Sequence, residues 1–257
     1  MNNATLIIVG DTTLNEIRPG LEKLLSGWKP SQVPAKNISK VEPQKKSVVY
    51  LIDRADSLQS VIRTGHVAPP KSNPEEIAIE TMNTILGGTF TSRVNMNLRE
   101  DKHWSYGAFT FLWPAQGQRP FIAYAPVQTD KTKESLMELD KELRAILDRQ
   151  PVDEKELNTA QKNLTLQLPG RWETDDAVAV SLGEIVSFAL PDDYFTTYPA
   201  KVRSLSVPEV ENAAKKVVHP DQLVWVVVGD RAKVEAGIRE LGWGELQLLD
   251  ADGNAAK

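Results

Sequence analysis

GGTFTSRVNMNLREDKHWSY, residues 87–106, is the most informative stretch of this amino-acid sequence. Its glycine pair follows an amphipathic helical pattern and predicts the end of that helix. A second, polar helix is predicted to end at Arg99, and Tyr106 follows seven residues later at the start of a predicted strand. A guanidinium and a phenol held at this interval, where a helix meets a strand, can both donate hydrogen bonds to one ligand. The stretch therefore predicts a binding site with two donors.

Composition sets broad limits on the class of protein. The 257 residues are 41% hydrophobic and 25% charged, which is typical of a globular protein. A net charge of −5 without a basic block disfavours a nucleic-acid partner, and the longest apolar runs are too short to span a membrane. The absence of cysteine excludes disulfides and thiolate metal sites. No signal peptide is evident after Met1, and cysteine usage leaves the compartment open.

Helix and strand signals alternate along the chain. Strands are predicted at residues 4–9, 47–52, 58–64, 104–113, 121–127 and 223–228, with a surface connection at 29–46. Helices are predicted between them from the 3.6-residue spacing of apolar side chains. Two helix starts carry capping signals, Asn73-Pro74-Glu75-Glu76 and Ser206-Val207-Pro208-Glu209.

Residues 3–24 and 222–241 share a pattern of apolar strand, Gly-Asp and helix. This pattern is common in α/β proteins, but it also suggests the last unit of one repeat followed by a second repeat. The second interpretation divides the chain into four parts. These are a strand–helix unit of the preceding repeat at 1–30, a linker at 31–46, one domain at 47–245 and a tail at 246–257.

The stretch GGTFTSRVNMNLREDKHWSYGA, residues 87–108, resembles the C-terminal half of the pitrilysin/insulinase family of zinc metallopeptidases, which includes the mitochondrial processing peptidases. Gly-Gly, Ser-Arg, Leu-Arg-Glu and Tyr-Gly occur at the family's spacing. The resemblance continues through LIDRADSLQSVIRTGH, ALPDDYFTTYPAKV and LVWVVVGD, and covers residues 2–239. It implies an α+β fold, a two-layer sandwich of a mostly antiparallel or mixed sheet with helices on one face, of the LuxS/processing-peptidase type.

The resemblance also implies a division of labour between two halves. In the family, a first half with His-x-x-Glu-His and a distal Glu binds zinc, and a second half contributes an Arg and a Tyr that reach the peptide backbone. Arg99 and Tyr106 occupy those positions here. The chain is therefore expected to be the substrate-binding, non-catalytic half, inactive alone and without metal ligands. Zinc is expected in a partner half, in the same polypeptide or a paired subunit, and a dimer is possible.

The three histidines do not form the metal motif. His66 and His219 are expected to be surface or capping residues, and His103 is either a weaker substrate contact or a solvated turn residue. The pair itself has ordinary alternatives: Arg99 can cap helix carbonyls or form a surface ion pair, and Tyr106 can be strand packing.

Three functions remain open from the sequence. The chain is a substrate-binding half of a peptidase, a scaffold like the core subunits that family members became in respiratory complexes, or a self-sufficient hydrolase of another type. Retention of Arg99 and Tyr106 favours the first. Motifs for serine hydrolases, phosphate loops and dinucleotide sites are absent. Bacterial relatives of this kind are often exported, so the resemblance is compatible with a periplasmic parent protein as well as a cytoplasmic one.

Overall fold

A computed structural model describes residues 3–256 of the chain, and its strands form one mixed sheet. The strands are β1 (Val48–Asp53), β2 (Gln59–Ala68), β3 (Phe109–Leu112), β4 (Arg119–Gln128), β5 (Val224–Gly229) and β6 (Leu246–Leu249). Within the described part of the chain their order is β3-β4-β2-β5-β1-β6. Strands β5 and β6 run parallel to β1, whereas β2–β5, β2–β4 and β3–β4 are antiparallel pairs.

The helices connect these strands and cover one face of the sheet. They are α1 (Leu14–Leu25), α2 (Glu76–Asn83), α3 (Arg93–Asn95), α4 (Thr132–Ala145), α5 (Glu154–Leu166), α6 (Leu168–Arg171), α7 (Asp175–Phe188), α8 (Tyr194–Ser204), α9 (Val207–Val217) and α10 (Arg231–Glu240). Among the described residues, no helix combines the length and the apolar character that crossing a membrane requires.

The sheet has one buried face and one open face. Along β2, Ile62 and Thr64 are buried whereas Val61 and Arg63 are not, as expected when alternate side chains point to opposite sides. The buried face packs against α4 and α9, and Phe121 and Trp225 are among its fully buried side chains. Burying each large apolar side chain contributes about 2 kcal/mol. The predicted two-layer α+β fold with helices on one face is confirmed.

A second, smaller core joins the helices that lie after α4. It contains Leu164, Leu168, Tyr194, Tyr198 and Val202 from α5, α6 and α8. Helix α8 was not predicted, because Pro199 lies inside it and proline usually ends a helix.

The N-terminal segment departs from the sequence prediction. Residues 4–9 form no strand, and Leu6 and Ile8 are exposed. A strand needs a neighbouring strand for its hydrogen bonds, and none of the described strands pairs with this segment. Helix α1 does form behind a capping box of Thr13 and Glu16, yet none of its residues is buried. Residues 29–46 contain no helix or strand, as predicted.

Other boundaries were predicted with mixed success. The capping box at Ser206 and Glu209 is present at the start of α9. Strand β3 begins at Phe109 and not at residue 104, because Ser105 makes only an isolated bridge to Val127. Residues 246–249, interpreted as part of a tail, form the edge strand β6. A strand of four residues after two glycines gives a weak sequence signal.

Candidate functional site

One wide π-helical turn precedes the predicted site, and a second one contains Arg99. Helix α2 continues into one over Thr84–Gly88, and α3 continues into another over Met96–Asp101. Such turns place an extra residue in the helix and occur frequently at functional sites. The predicted helix end at Arg99 is two residues short, because the second turn continues to Asp101.

The glycine pair allows the end of α2 to approach β3 closely. A Cβ at Gly87 would lie 2.4 Å from the backbone nitrogen of Thr110, which leaves no space for a larger residue. Asn83 secures the same contact, since its Nδ2 donates to the Thr110 carbonyl at 3.1 Å and its Oδ1 accepts from the Thr110 hydroxyl at 2.8 Å. The glycine is therefore required for packing.

Arg99 lies in the second π-helical turn with a partly exposed side chain. Its guanidinium carbon is 4.4 Å from the centre of the Phe90 ring, a cation–π contact. Its Nε is 3.3 Å from Oε1 of Glu100, and 38% of the Arg99 side chain remains exposed. The ring fixes the plane of the guanidinium while part of its donor set stays accessible to a ligand.

His103 and Tyr106 lie in the turn that leads into β3 and share one cavity. This cavity has a volume of about 630 Å³ and is lined by Ser57, Leu58, Gln59, His103, Trp104, Ser105, Tyr106 and Gln128. His103 has a left-handed backbone with φ of 59°, and its carbonyl accepts a hydrogen bond from Gln128 Nε2 at 3.1 Å. Tyr106 is 86% exposed. The cavity therefore presents an imidazole and a phenol to solvent.

Arg99 does not line this cavity but is connected to it through His103. His103 Nδ1 is 3.2 Å from the Arg99 carbonyl oxygen, to which it donates when that nitrogen carries the proton. The structure thus places His103 and Tyr106 together and Arg99 beside them. Contact of Arg99 and Tyr106 with one ligand stays a prediction.

Asn95 holds this turn in place and was not identified from the sequence. It is fully buried; its Oδ1 accepts from the Ala108 amide at 3.0 Å, and its Nδ2 donates to the Phe90 carbonyl at 2.6 Å. One side chain therefore fixes both the residue that stacks on Arg99 and the chain just after Tyr106. Asn95 gives no sequence signal, since it is one polar residue in a polar helix.

The remaining histidines form a structural pair. His66 is buried, which contradicts its expected surface position, because β2 turns it toward the helices. Its Nε2 accepts from the His219 amide at 3.2 Å, and the two ring centres are 5.2 Å apart. Among residues 3–256, no three His, Asp or Glu side chains come together as a possible metal site.

We expect His66 to make the stability of the chain sensitive to acid. Burial, more than the neighbouring His219, lowers the pKa of His66 to about 4, against the hydrogen bond to Val67. The unfolded chain then binds a proton more readily than the folded chain, so the free energy of unfolding falls as the pH drops below about 6.5. At pH 5 this loss is roughly 2 kcal/mol. Urea unfolding between pH 7 and pH 4 measures this loss. The variant His66→Gln should have a flatter profile between pH 6.5 and 4, and an unchanged slope would contradict the assignment.

The predicted fold leaves one face of the sheet without helices, but the residues that make up this open face were not predicted from the sequence. One row across it contains Phe109, Tyr124, Arg63, Val226, Tyr50 and Gln247, in strand order. The row on one side contains Val61, Pro126, Val228 and Ile52. The row on the other side contains Gly65, Ile122, Phe111, Val224 and Val48. None of these residues is buried, so the face is an accessible and largely apolar surface. An apolar surface of this kind is typical of a binding site.

Comparison with protein families identifies the family of the chain. The model of the peptidase M16 inactive domain matches residues 1–164, which is more than half of the chain. The chain belongs to the peptidase M16 inactive-domain family. A comparison with curated protein sequences found no match. The resemblance inferred from residues 87–108 is thereby confirmed at the level of the family.

Solved structures show the same fold for this M16 inactive domain. A peptidase M16 inactive domain from Pseudomonas fluorescens has a TM-score of 0.76 and 22% identity, covering 86% of this chain and 52% of that chain. A protease from Helicobacter pylori has a TM-score of 0.72 and 16% identity, covering 86% and 53%. A chain of complex III from Candida albicans has a TM-score of 0.69 and 13% identity, covering 90% and 57%. This chain therefore spans about half the length of these structures.

Proposed function

We propose that this M16 inactive domain is the substrate-binding, zinc-free half of a zinc metallopeptidase that cleaves peptides when combined with a His-x-x-Glu-His half. The observation that carries this proposal is the placement of Tyr106 and His103 in one open cavity beside Arg99. The apolar open face of the sheet supports it, because an unfolded peptide exposes apolar side chains that such a surface can cover.

The two predicted donors match the chemistry of peptide hydrolysis. When water adds to a peptide carbonyl, the oxygen gains negative charge, and donors aimed at it lower the barrier. Arg99 supplies a permanently charged guanidinium whose plane is held by Phe90. Tyr106 supplies a phenol whose hydroxyl has no hydrogen-bond partner among the described residues. We assign both residues to binding of the peptide backbone, and His103 to a weaker contact.

The zinc that this function requires is assigned to the other half. Among the described residues, the histidines and carboxylates do not form a set of three that fits the ion. Residues of this chain therefore bind and orient the peptide, and no step of the chemistry at the metal is assigned to them. The partner half is either part of the same polypeptide or a paired subunit.

The N-terminal unit is proposed to belong structurally to that partner half. Residues 4–9 have the composition of a strand but pair with none of the described strands, and α1 exposes Leu14 and Leu24 although it is amphipathic. A sheet edge of the partner would supply the missing hydrogen bonds and cover this apolar side. This assignment keeps the division at residues 1–30 and 31–46, whereas the domain that begins at residue 47 extends beyond residue 245 to include β6.

Reconstitution tests the proposed function. The chain alone should not hydrolyse a quenched fluorescent peptide, and addition of a His-x-x-Glu-His half with zinc should produce turnover that a chelator abolishes. The matched control is the same partner half with the Glu of its motif changed to Gln. Turnover by the isolated chain in excess chelator would contradict the proposal. Inactivity of the mixture while the intact parent protein is active would contradict it as well.

A structural role is the second candidate, and the similarity to a chain of complex III favours it. A scaffold would use the same sheet and helices to contact other subunits without any need for donors at residues 99 and 106. The two functions predict different results for a substitution at Arg99. Its effect is small in a scaffold and large in a peptidase.

A further inference from the structure

Arg63 carries a charge in the middle of an apolar surface. Among the strand residues described, it is the one charged side chain on the open face of the sheet, in the central strand β2. Its neighbours in the same row are Tyr124 and Val226. A cation at this place does not help the sheet to fold, since folding leaves the position exposed.

The Arg63 guanidinium is available for a ligand. Its central carbon lies 5.3 Å from the centre of the Tyr124 ring, so the aromatic face orients it. It forms no ion pair or hydrogen bond with any other described residue. The carboxylate of Glu42, near the same face, is already paired with Lys40 at 3.1 Å.

An apolar cavity lies next to Arg63 on the same face. Gly65, two residues along β2, lines a cavity of about 400 Å³ together with Val67, Ile122 and Val224. A Cβ at Gly65 would lie 2.2 Å from the Phe121 carbonyl oxygen, so the glycine allows β4 to approach closely beside the cavity. Residues of the linker close the far side of it, including Val41. Because Gly65 follows Arg63 at the spacing of one strand face, the charge and the cavity are about 7 Å apart.

We propose that Arg63 and this cavity select peptides in which an acidic residue lies two positions from a large apolar residue. An extended peptide presents alternate side chains on one face at about the same 7 Å spacing. The apolar side chain then enters the cavity, and the carboxylate pairs with Arg63. This inference rests on the proposed peptide-binding function and adds a preference for the substrate.

The preference follows from the cost of covering an unpaired charge. A peptide that lies over Arg63 removes water from the guanidinium, which disfavours binding unless an acceptor replaces that water. A carboxylate replaces it with charge-assisted hydrogen bonds, and the planar guanidinium accommodates both carboxylate oxygens. An amide in the same position restores only part of this interaction.

Binding of labelled peptides to the 257-residue chain tests the inference. The probe peptide is unstructured, with one Phe followed two positions later by Glu; a second peptide has Gln in place of Glu. Fluorescence anisotropy should give a Kd about tenfold lower for the Glu peptide at low salt. The variant Arg63→Met should abolish this difference, and Arg63→Lys should retain part of it.

A matched variant and a shifted peptide complete the design. Arg203→Met removes an exposed arginine from α8, on the helical side, and should keep the difference between the peptides. Moving Glu next to Phe should reduce the affinity, because the two side chains then point to opposite faces. A Glu preference that survives in Arg63→Met overturns the role of Arg63 and leaves peptide binding intact. No binding of either peptide by the unchanged chain overturns both the inference and the proposed function.

Discussion

Replacing Arg99 by alanine in the reconstituted peptidase is expected to lower kcat/KM by about 10²-fold or more. The estimate follows from deletion of a donor to the developing oxyanion in other hydrolases. Tyr106→Phe should have a smaller effect, because the ring remains and only the hydroxyl is lost. Steady-state cleavage of a fluorescent peptide, with the chain and its His-x-x-Glu-His partner at fixed ratio, measures both changes.

The structure also sets the controls for this experiment. Arg99 is partly exposed, and among the described residues its side chain has a cation–π contact with Phe90 and an ion pair with Glu100, so its loss should change the free energy of unfolding by less than about 1 kcal/mol. Arg203→Ala serves as the matched variant, with unchanged kcat/KM. A loss of less than about threefold for Arg99→Ala would remove Arg99 from the mechanism and favour the scaffold.

Replacing Arg119 by methionine is expected to destabilise the chain by about 3 kcal/mol or more. Arg119 is 2% exposed and binds both carboxylate oxygens of Glu76, one of them at 2.9 Å, and its Nε donates to the Pro69 carbonyl at 2.8 Å. Removing the cation leaves a buried carboxylate with incomplete compensation, the costly case for a buried ion pair. Lys71 Nζ is 3.4 Å from Oε1 of Glu76 and offsets part of the lost stability. The expected destabilisation therefore lies at the lower end of the range for a broken buried ion pair.

Urea unfolding of three variants separates this explanation from a loss of packing. The double variant Arg119→Met/Glu76→Gln should recover much of the stability, since it removes the buried charge together with its partner. Arg144→Met removes an arginine that pairs with Asp140 and Asp221 at the surface, and should cost less than about 1 kcal/mol. If Arg119→Met costs no more than Arg144→Met, the pair with Glu76 is not important for stability.

Local patterns in the sequence were sufficient for most helices and for the family. The capping box at Ser206 and Glu209 is formed as predicted, and α4, α5 and α10 bury most of the apolar positions that predicted them, whereas α7 forms with Leu182 exposed. These features depend on residues within one or two helical turns, which a sequence displays directly. Where a local signal was misleading, as at Pro199 in α8, tertiary packing of Tyr198 and Val202 determines the structure instead.

Features that depend on distant residues were not predictable in the same way. The strand predicted at residues 4–9 from its composition was wrong, because this segment pairs with none of the described strands. Three features each require the sheet register. They are the pairing of Arg119 with Glu76, the role of Asn95, and the row of the open face in which Arg63 has apolar neighbours. In the candidate site, family spacing predicts Arg99 and Tyr106, and His103 is a weaker prediction because it lies between them; all three stay predictions. The ring that orients Arg99 came from the structure.

The position of β1 in the sheet has a consequence for biosynthesis. Strand β1 is the first strand of the sheet to leave the ribosome, and its two partners, β5 and β6, are the last. At translation rates of about 5–20 residues per second, β1 therefore waits roughly ten seconds or more without a partner. During that time its apolar side chains, including Val49 and Leu51, are available to chaperones or to other nascent chains.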